Sequence, residues 1–203
     1  MLQAAKTHLA QDPILQPLVE QNELQPIHVS GDLYEYLVKS IVFQQLSGKA
    51  ASTIHNRFLN LFPAKYPDPN ELINFEIEEL RAVGLSRAKS NYVQNIAHFF
   101  IEQQLFEAEW EKYEDKALID LFTQIKGVGK WTVQMVLMFY LERSDVFPVD
   151  DLVVHNSIVE LYEVNEPNTR KRKAILHEIA EPWRPYRSYA SRYLWRWRDT
   201  LTV

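Results

Sequence analysis

The chain has 203 residues, 46% of them hydrophobic and 24% charged, which excludes a disordered polymer and predicts one generous packed domain or two small ones. It contains no cysteine, which excludes disulfides, thiolate zinc sites, iron–sulfur clusters and a cysteine nucleophile. The net charge of −5 is uneven: Arg170 to Arg198 holds nine Lys/Arg against two Asp/Glu, a local +7, leaving −12 for the remainder. Such asymmetry predicts either one basic face suited to nucleic acid or a solvated helix surface. The first 21 residues, MLQAAKTHLAQDPILQPLVEQ, lack the basic-then-apolar pattern of a secretory leader, and no apolar run approaches the ~18 residues of a membrane span, so an intracellular protein is expected.

Five glycines, ten prolines and almost no strand-like alternation predict an all-α protein of about ten helices in two layers. Ser30 or Asp32 can cap a helix through LYEYLVKSIVFQQ, and KAASTIHNRFLNLF follows Ser47-Gly48 and stops before Pro63. Asp68-Pro69 opens a helix around ELINF, IEELRAVG ends at Gly84, and SRAKSNYVQNIAHFFIEQQ begins at a Ser cap with Tyr92, Ile96 and Phe99 at helical spacing. ALIDLFTQI leads into Lys126-Gly127-Val128-Gly129, then KWTVQMVLMFYL and the extended DVFPVDD. LVVHNSIVELY, TRKRKAILHEIA and YRSYASRYLWRWRD complete the helices, with no repeat or linker.

The segment LFTQIKGVGKWTVQMVL is the most specific local signal. Two glycines flanking one apolar residue permit positive φ at both ends of a tight turn, with Val128 tucked inward. The amides of such a turn and of the helix after it can bind a DNA phosphate, helped by Lys130. An ordinary αα-hairpin is the competing account. Asp150 and Asp151 stand before an apolar helix, where a carboxylate serves equally as N-cap or as the charge that stabilises an oxocarbenium ion; one can cap while the other faces substrate.

QIKGVGKWTVQMVL followed by DVFPVDDLVV resembles the helix–hairpin–helix DNA glycosylase superfamily, and most of all its alkylpurine branch, the DNA-3-methyladenine glycosylase II type. IVFQQLSGKAASTI, LRAVGLSRAKSNYVQNIA and PWRPYRSYASRYLW extend the similarity over roughly residues 29–197. The resemblance implies two helical subdomains flanking a substrate cleft, one from about 1–34 plus 150–203 and the other from about 35–149. It implies base flipping of 3-methyladenine or 7-methylguanine from double-stranded DNA and hydrolysis of the N-glycosidic bond, the first step of base excision repair, by a monomer. A glycosylase for oxidised or deaminated bases and a non-catalytic DNA-binding scaffold are the alternatives.

In that branch the catalytic aspartate follows the hairpin aromatic by twenty positions; counting from Trp131 reaches Asp151, which makes Asp150 the neighbour turned toward the helix end. Strand-nicking members carry a lysine where this chain has Trp131, so an intact abasic product is implied. By resemblance Trp131 and Trp195 line the base pocket with Met135, which stands where many relatives have an aromatic; without it, aromatics in apolar helices are core, and Phe43, Tyr189 and Tyr193 stay there. Gln44-Gln45-Leu46-Ser47 resembles the loop that fills the gap left by a flipped nucleotide, with Gln45 first and Leu46 second as wedge. Gly127, Val128, Gly129, Lys130, Thr132, Gln45, Leu46, Ser47 and Arg187 are thus the expected DNA contacts, with holding the last helix as the alternative role for Arg187. No cofactor or catalytic metal is implied, because the six histidines (8, 28, 55, 98, 155, 177) lack ligand spacing; the carbonyls of Thr123, Ile125 and Val128 could hold Na⁺ or K⁺. The larger bacterial members carry an extra N-terminal β-domain, for which residues 1–28 are too few.

Overall fold

The computed structural model describes residues 1–46 and 48–201, and contains helices and turns with no strand among them. It divides into two compact units, one made of residues 1–28 and 137–203 and the other of residues 29–136. The boundaries fall earlier than the expected 34 and 149; at the second, Phe147 and Val149 already belong to the apolar core of the first unit.

The discontinuous unit contains α1 (Leu2–Leu9), α2 (Gln16–Gln21), α10 (Leu152–Leu161), α11 (Thr169–Ala180) and α12 (Arg187–Leu201). The last helix packs against α1, α2 and α10, and α10 also meets α11. Its core includes Leu9, Leu15, Val19, Val154, Ile158, Leu176, Trp183 and Leu194. Asp12 ties the amino-terminal segment into this core. One carboxylate oxygen accepts the N–H groups of Ile14 (2.9 Å) and Leu15 (3.2 Å); the other accepts the Tyr162 hydroxyl (2.5 Å) and the Trp183 indole N–H (2.9 Å).

The expected basic face is largely consumed inside this unit. Arg172, Lys173, Arg184, Arg187, Arg192 and Arg198 all bond to groups of the chain itself. Arg170, Lys171 and Arg196 face solvent. A cluster that is basic in sequence is therefore compensated in part, by Asp145, Asp150 and Glu160 from elsewhere in the chain.

The continuous unit contains α3 (Leu33–Phe43), α4 (Gly48–Leu59), α5 (Pro69–Leu72), α6 (Ile77–Ala82), α7 (Arg87–Glu102), α8 (Asp115–Phe122) and α9 (Lys130–Met135). Asp32, not Ser30, caps α3 by accepting the Glu35 N–H, and Ser86 caps α7 through the Lys89 N–H. The central helix is α7, packed against α3, α5 and α6. It buries Val93, Ile96, Ala97 and Phe100, and the Phe100 ring stacks on Phe122 of α8 at 5.9 Å. Beyond Met135 the backbone leaves α geometry for a π turn, Val136–Tyr140, and the chain passes from one unit to the other there.

Burial pushes the Asp12 carboxyl up, but the four hydrogen bonds outweigh it and hold the group below its ordinary value of 3.8. A depressed folded pKa gives stability that is present above the ordinary value and lost as pH falls through the folded one. Asp12→Asn should cost about 2–3 kcal/mol at pH 7 and flatten the loss of stability below about pH 4, measured by urea denaturation across pH.

Candidate active site

The hairpin joins α8 to α9 and is built from one strained glycine and one relaxed one. Gly127 has φ +107°, and a Cβ there would lie 2.2 Å from the Tyr92 ring, so only glycine fits. Gly129 departs from the expectation of positive φ: it is extended, at φ −93° and ψ 167°, as the N-cap of α9. The turn needs a left-handed residue only where it leaves α8; at its far end the chain must already be extended to enter a helix. Val128 is buried as expected, and its N–H donates to the Ile125 carbonyl at 2.9 Å.

Gly129 supplies no side-chain cap, and nothing lies within 4 Å of where its Cβ would be. The first turn of α9 thus begins with open space before it, with Lys130 and Trp131 exposed beside it. Thr132 differs from its expected place as a side-chain DNA contact. It is buried, and its hydroxyl accepts the Gln44 amide N–H at 3.3 Å. Trp131 is 42% exposed, high for an indole, whereas Met135 is buried. Gln45 and Leu46 are exposed, Gln45 with φ +56°; Ser47, the third residue expected in this loop, lies outside the described residues.

In the other unit, Asp151 is the N-cap of α10. Its Oδ1 accepts the N–H groups of Val153 (3.0 Å) and Val154 (2.9 Å) and the indole N–H of Trp195 (2.9 Å). Here the expected division of labour between the two aspartates is overturned. Asp151 does the capping itself, and Asp150, one residue too early to reach those amides, is ion-paired with Lys173. Trp195 stacks on Phe139 with ring centroids 5.8 Å apart, and both rings line a cavity of about 280 Å³ with Leu24, Gln25 and Arg192. Beside Asp151, Leu152 is 75% exposed.

Of its two expected roles, DNA contact or holding the last helix, Arg187 takes the structural one. It is buried, and its guanidinium holds both carboxylate oxygens of Asp145 (2.7 and 2.9 Å) and the Asp145 carbonyl (3.0 Å). Next to it the Ser188 hydroxyl donates to the Arg143 carbonyl (2.6 Å) and accepts the Val146 N–H (2.9 Å). The RS pair therefore locks the start of α12 to the segment before Asp151. Two supports were not singled out in the sequence. His155, a turn beyond Asp151, contacts the Val149 carbonyl through Nδ1 (3.2 Å) and accepts Arg172 Nε–H at Nε2 (3.0 Å). Arginine only donates and a carbonyl only accepts, so these contacts fit a ring that donates from Nδ1 and accepts at Nε2. Phe139 is the other, disguised in sequence by the apolar run around it.

Among the described residues no group of three or more His, Asp or Glu side chains is placed to hold a metal ion, and no helix is long and apolar enough to cross a membrane.

The family model described as HhH-GPD superfamily base excision DNA repair protein matches residues 38–185, and the chain belongs to this family. DNA-3-methyladenine glycosylase 1 of Schizosaccharomyces pombe is 37% identical over 165 residues, covering 80% of this chain and 71% of the relative. The structure of an S. pombe 3-methyladenine DNA glycosylase in complex with abasic DNA matches with TM-score 0.81 and 34% identity, over 95% of each chain. A DNA-3-methyladenine glycosidase from Bacillus halodurans matches with TM-score 0.78 and 34% identity, over 94% of this chain and 87% of that one.

The two hairpin glycines should respond oppositely to a methyl group. Gly127→Ala should destabilise the protein by about 2–4 kcal/mol, through the Tyr92 clash and the left-handed backbone. Gly129→Ala should change stability by less than about 1 kcal/mol yet weaken DNA binding about tenfold, because the methyl enters the space before α9. Thermal melts and fluorescence anisotropy on the pair check both.

Proposed function

We propose that the protein is a monofunctional DNA glycosylase that flips alkylated purines out of duplex DNA and hydrolyses their N-glycosidic bond, acting as a monomer wherever the cell keeps its DNA. The observation that carries this reading is Asp151: a carboxylate fixed by two helix amides and an indole N–H, twenty residues beyond the tryptophan of GVGKW. Family membership and the relatives' named activity support the reaction class.

The chemistry follows from charge. A purine alkylated at N3 or N7 is cationic, so it departs as a neutral base when the C1′–N bond breaks and takes the bonding pair with it. Positive charge then develops on the sugar, and the Asp151 carboxylate stabilises it. Water adds its oxygen to C1′ and loses a proton, completing hydrolysis. The electron-rich ring of Trp195 is suited to stack on a cationic base, a contact of about 0.5–2 kcal/mol, and the exposed ring of Trp131 has the same chemistry. Gln45 and Leu46 would fill the gap in the duplex, and the open N-terminus of α9 with Lys130 would hold a phosphate. No lysine occupies position 131, so no Schiff base to C1′ forms and the abasic strand stays whole. A monovalent cation on the carbonyls of Thr123, Ile125 and Val128 would be structural; the Ile125 oxygen, which already accepts one N–H, keeps a lone pair for it.

Asp151→Asn keeps an acceptor oxygen for the α10 cap while removing the charge. It should bind DNA normally and lose about 10²–10⁴-fold in the rate of base release from methylated DNA. Near-normal release by a folded variant would refute the assignment.

A further inference from the structure

The motif SRAKSNYVQNIA builds α7, and one face of that helix touches both loops assigned to DNA. Lys89 donates through Nζ to the carbonyls of Val42 (2.8 Å) and Gln44 (2.7 Å), at the carboxyl end of α3. Those carbonyls lie past the last intrahelical hydrogen bonds and carry the negative end of the helix dipole, so an ammonium group satisfies them twice over. Three residues on, Tyr92 packs against Gly127 of the hairpin. Three further on, the Asn95 side chain donates to the Lys126 carbonyl at 3.0 Å. Spacing of three places all three side chains along one side of a helix.

The two loops are also tied directly, since the Gln44 amide donates to Thr132 in the first turn of α9. Between these anchors Gln45 adopts φ +56°, a left-handed conformation that a non-glycine residue holds only when its neighbours enforce it. Lys89 fixes the residue immediately before it. The lysine spends its charge on carbonyls of this one loop, and burial lowers its pKa, as expected for an ammonium turned into the protein.

We propose that Lys89 is a positioning residue for base flipping: from the face of α7 that also carries Tyr92 and Asn95, it holds the Gln45–Leu46 wedge at a fixed offset from the phosphate-binding hairpin. This rests on the glycosylase reading above. Flipping an intact pair costs unstacking free energy that the inserted wedge must offset, whereas a lesion lacking a paired partner is extruded cheaply. A misplaced wedge therefore penalises the first case and spares the second, while a general loss of stability penalises both alike.

The test compares wild type, Lys89→Met and the milder Lys89→Gln, which retains one donor, at temperatures where melting curves show each folded. Each is assayed under single turnover on two duplexes carrying 7-methylguanine, one with cytosine opposite and one with an abasic analogue opposite. Lys89→Met should lower the rate on the paired lesion about 10–100-fold more than on the unpaired one, with Lys89→Gln between. Equal slowing on both duplexes, with wild type active, overturns this proposal alone. A wild type that releases no base from either overturns the functional reading and the proposal with it.

Discussion

Three donors converge on one oxygen of Asp151: two amides at the start of α10 and the indole N–H of Trp195. A side chain held from three directions has no rotamer freedom left to lose on binding substrate, and such preorganisation is what electrostatic stabilisation of a transition state requires. The same contact makes the carboxylate part of the fold, because α10 begins there. Capping and catalysis look like rival explanations for an aspartate in this position, but the capping arrangement seen here leaves the proposed catalytic role open, because one fixed carboxylate can serve both.

The surroundings of Asp151 are built to keep that arrangement. Arg187 and Ser188 hold residues 143–146, upstream of it. His155 and Arg172 brace the Val149 carbonyl, and Phe139 backs the Trp195 ring. These contacts engage Arg172 and Arg187, two of the nine cationic side chains between Arg170 and Arg198. Buried or bidentate arginine pairs of this sort fix geometry more than they add stability. The other unit solves a related problem with a helix face, where α7 reaches the hairpin and the loop after α3 together.

Much of this was legible in sequence where a local rule sufficed. The Ser86 cap and the apolar period of SRAKSNYVQNIAHFF mark α7 correctly, and Val128 between two glycines reads as the inward pin of a tight turn. What escaped depends on three-dimensional partners. Residues 1–28 carry two short helices: α1 has no side-chain cap, and the only start signal of α2 is its early proline, Pro17. Asp150 and Asp151 are alike in sequence, and only the direction in which the chain enters α10 decides which reaches the amides. Thr132, between an exposed tryptophan and a buried valine, reads as a surface residue until Gln44 is placed against it. The roles of Lys89 and Arg187 lie in partners 45 and 42 residues away, beyond the reach of any periodicity.

Placing a carboxylate at the anomeric carbon of an extruded nucleotide is the claim on which the enzymatic account stands. A crystal structure of the protein on duplex DNA containing a cationic sugar mimic at the lesion site tests it most directly. The account predicts the Asp151 carboxylate about 3–4 Å from the anomeric position, with the Trp195 indole still bonded to it. A sugar mimic left stacked within the helix, or facing a different acidic residue, would contradict it.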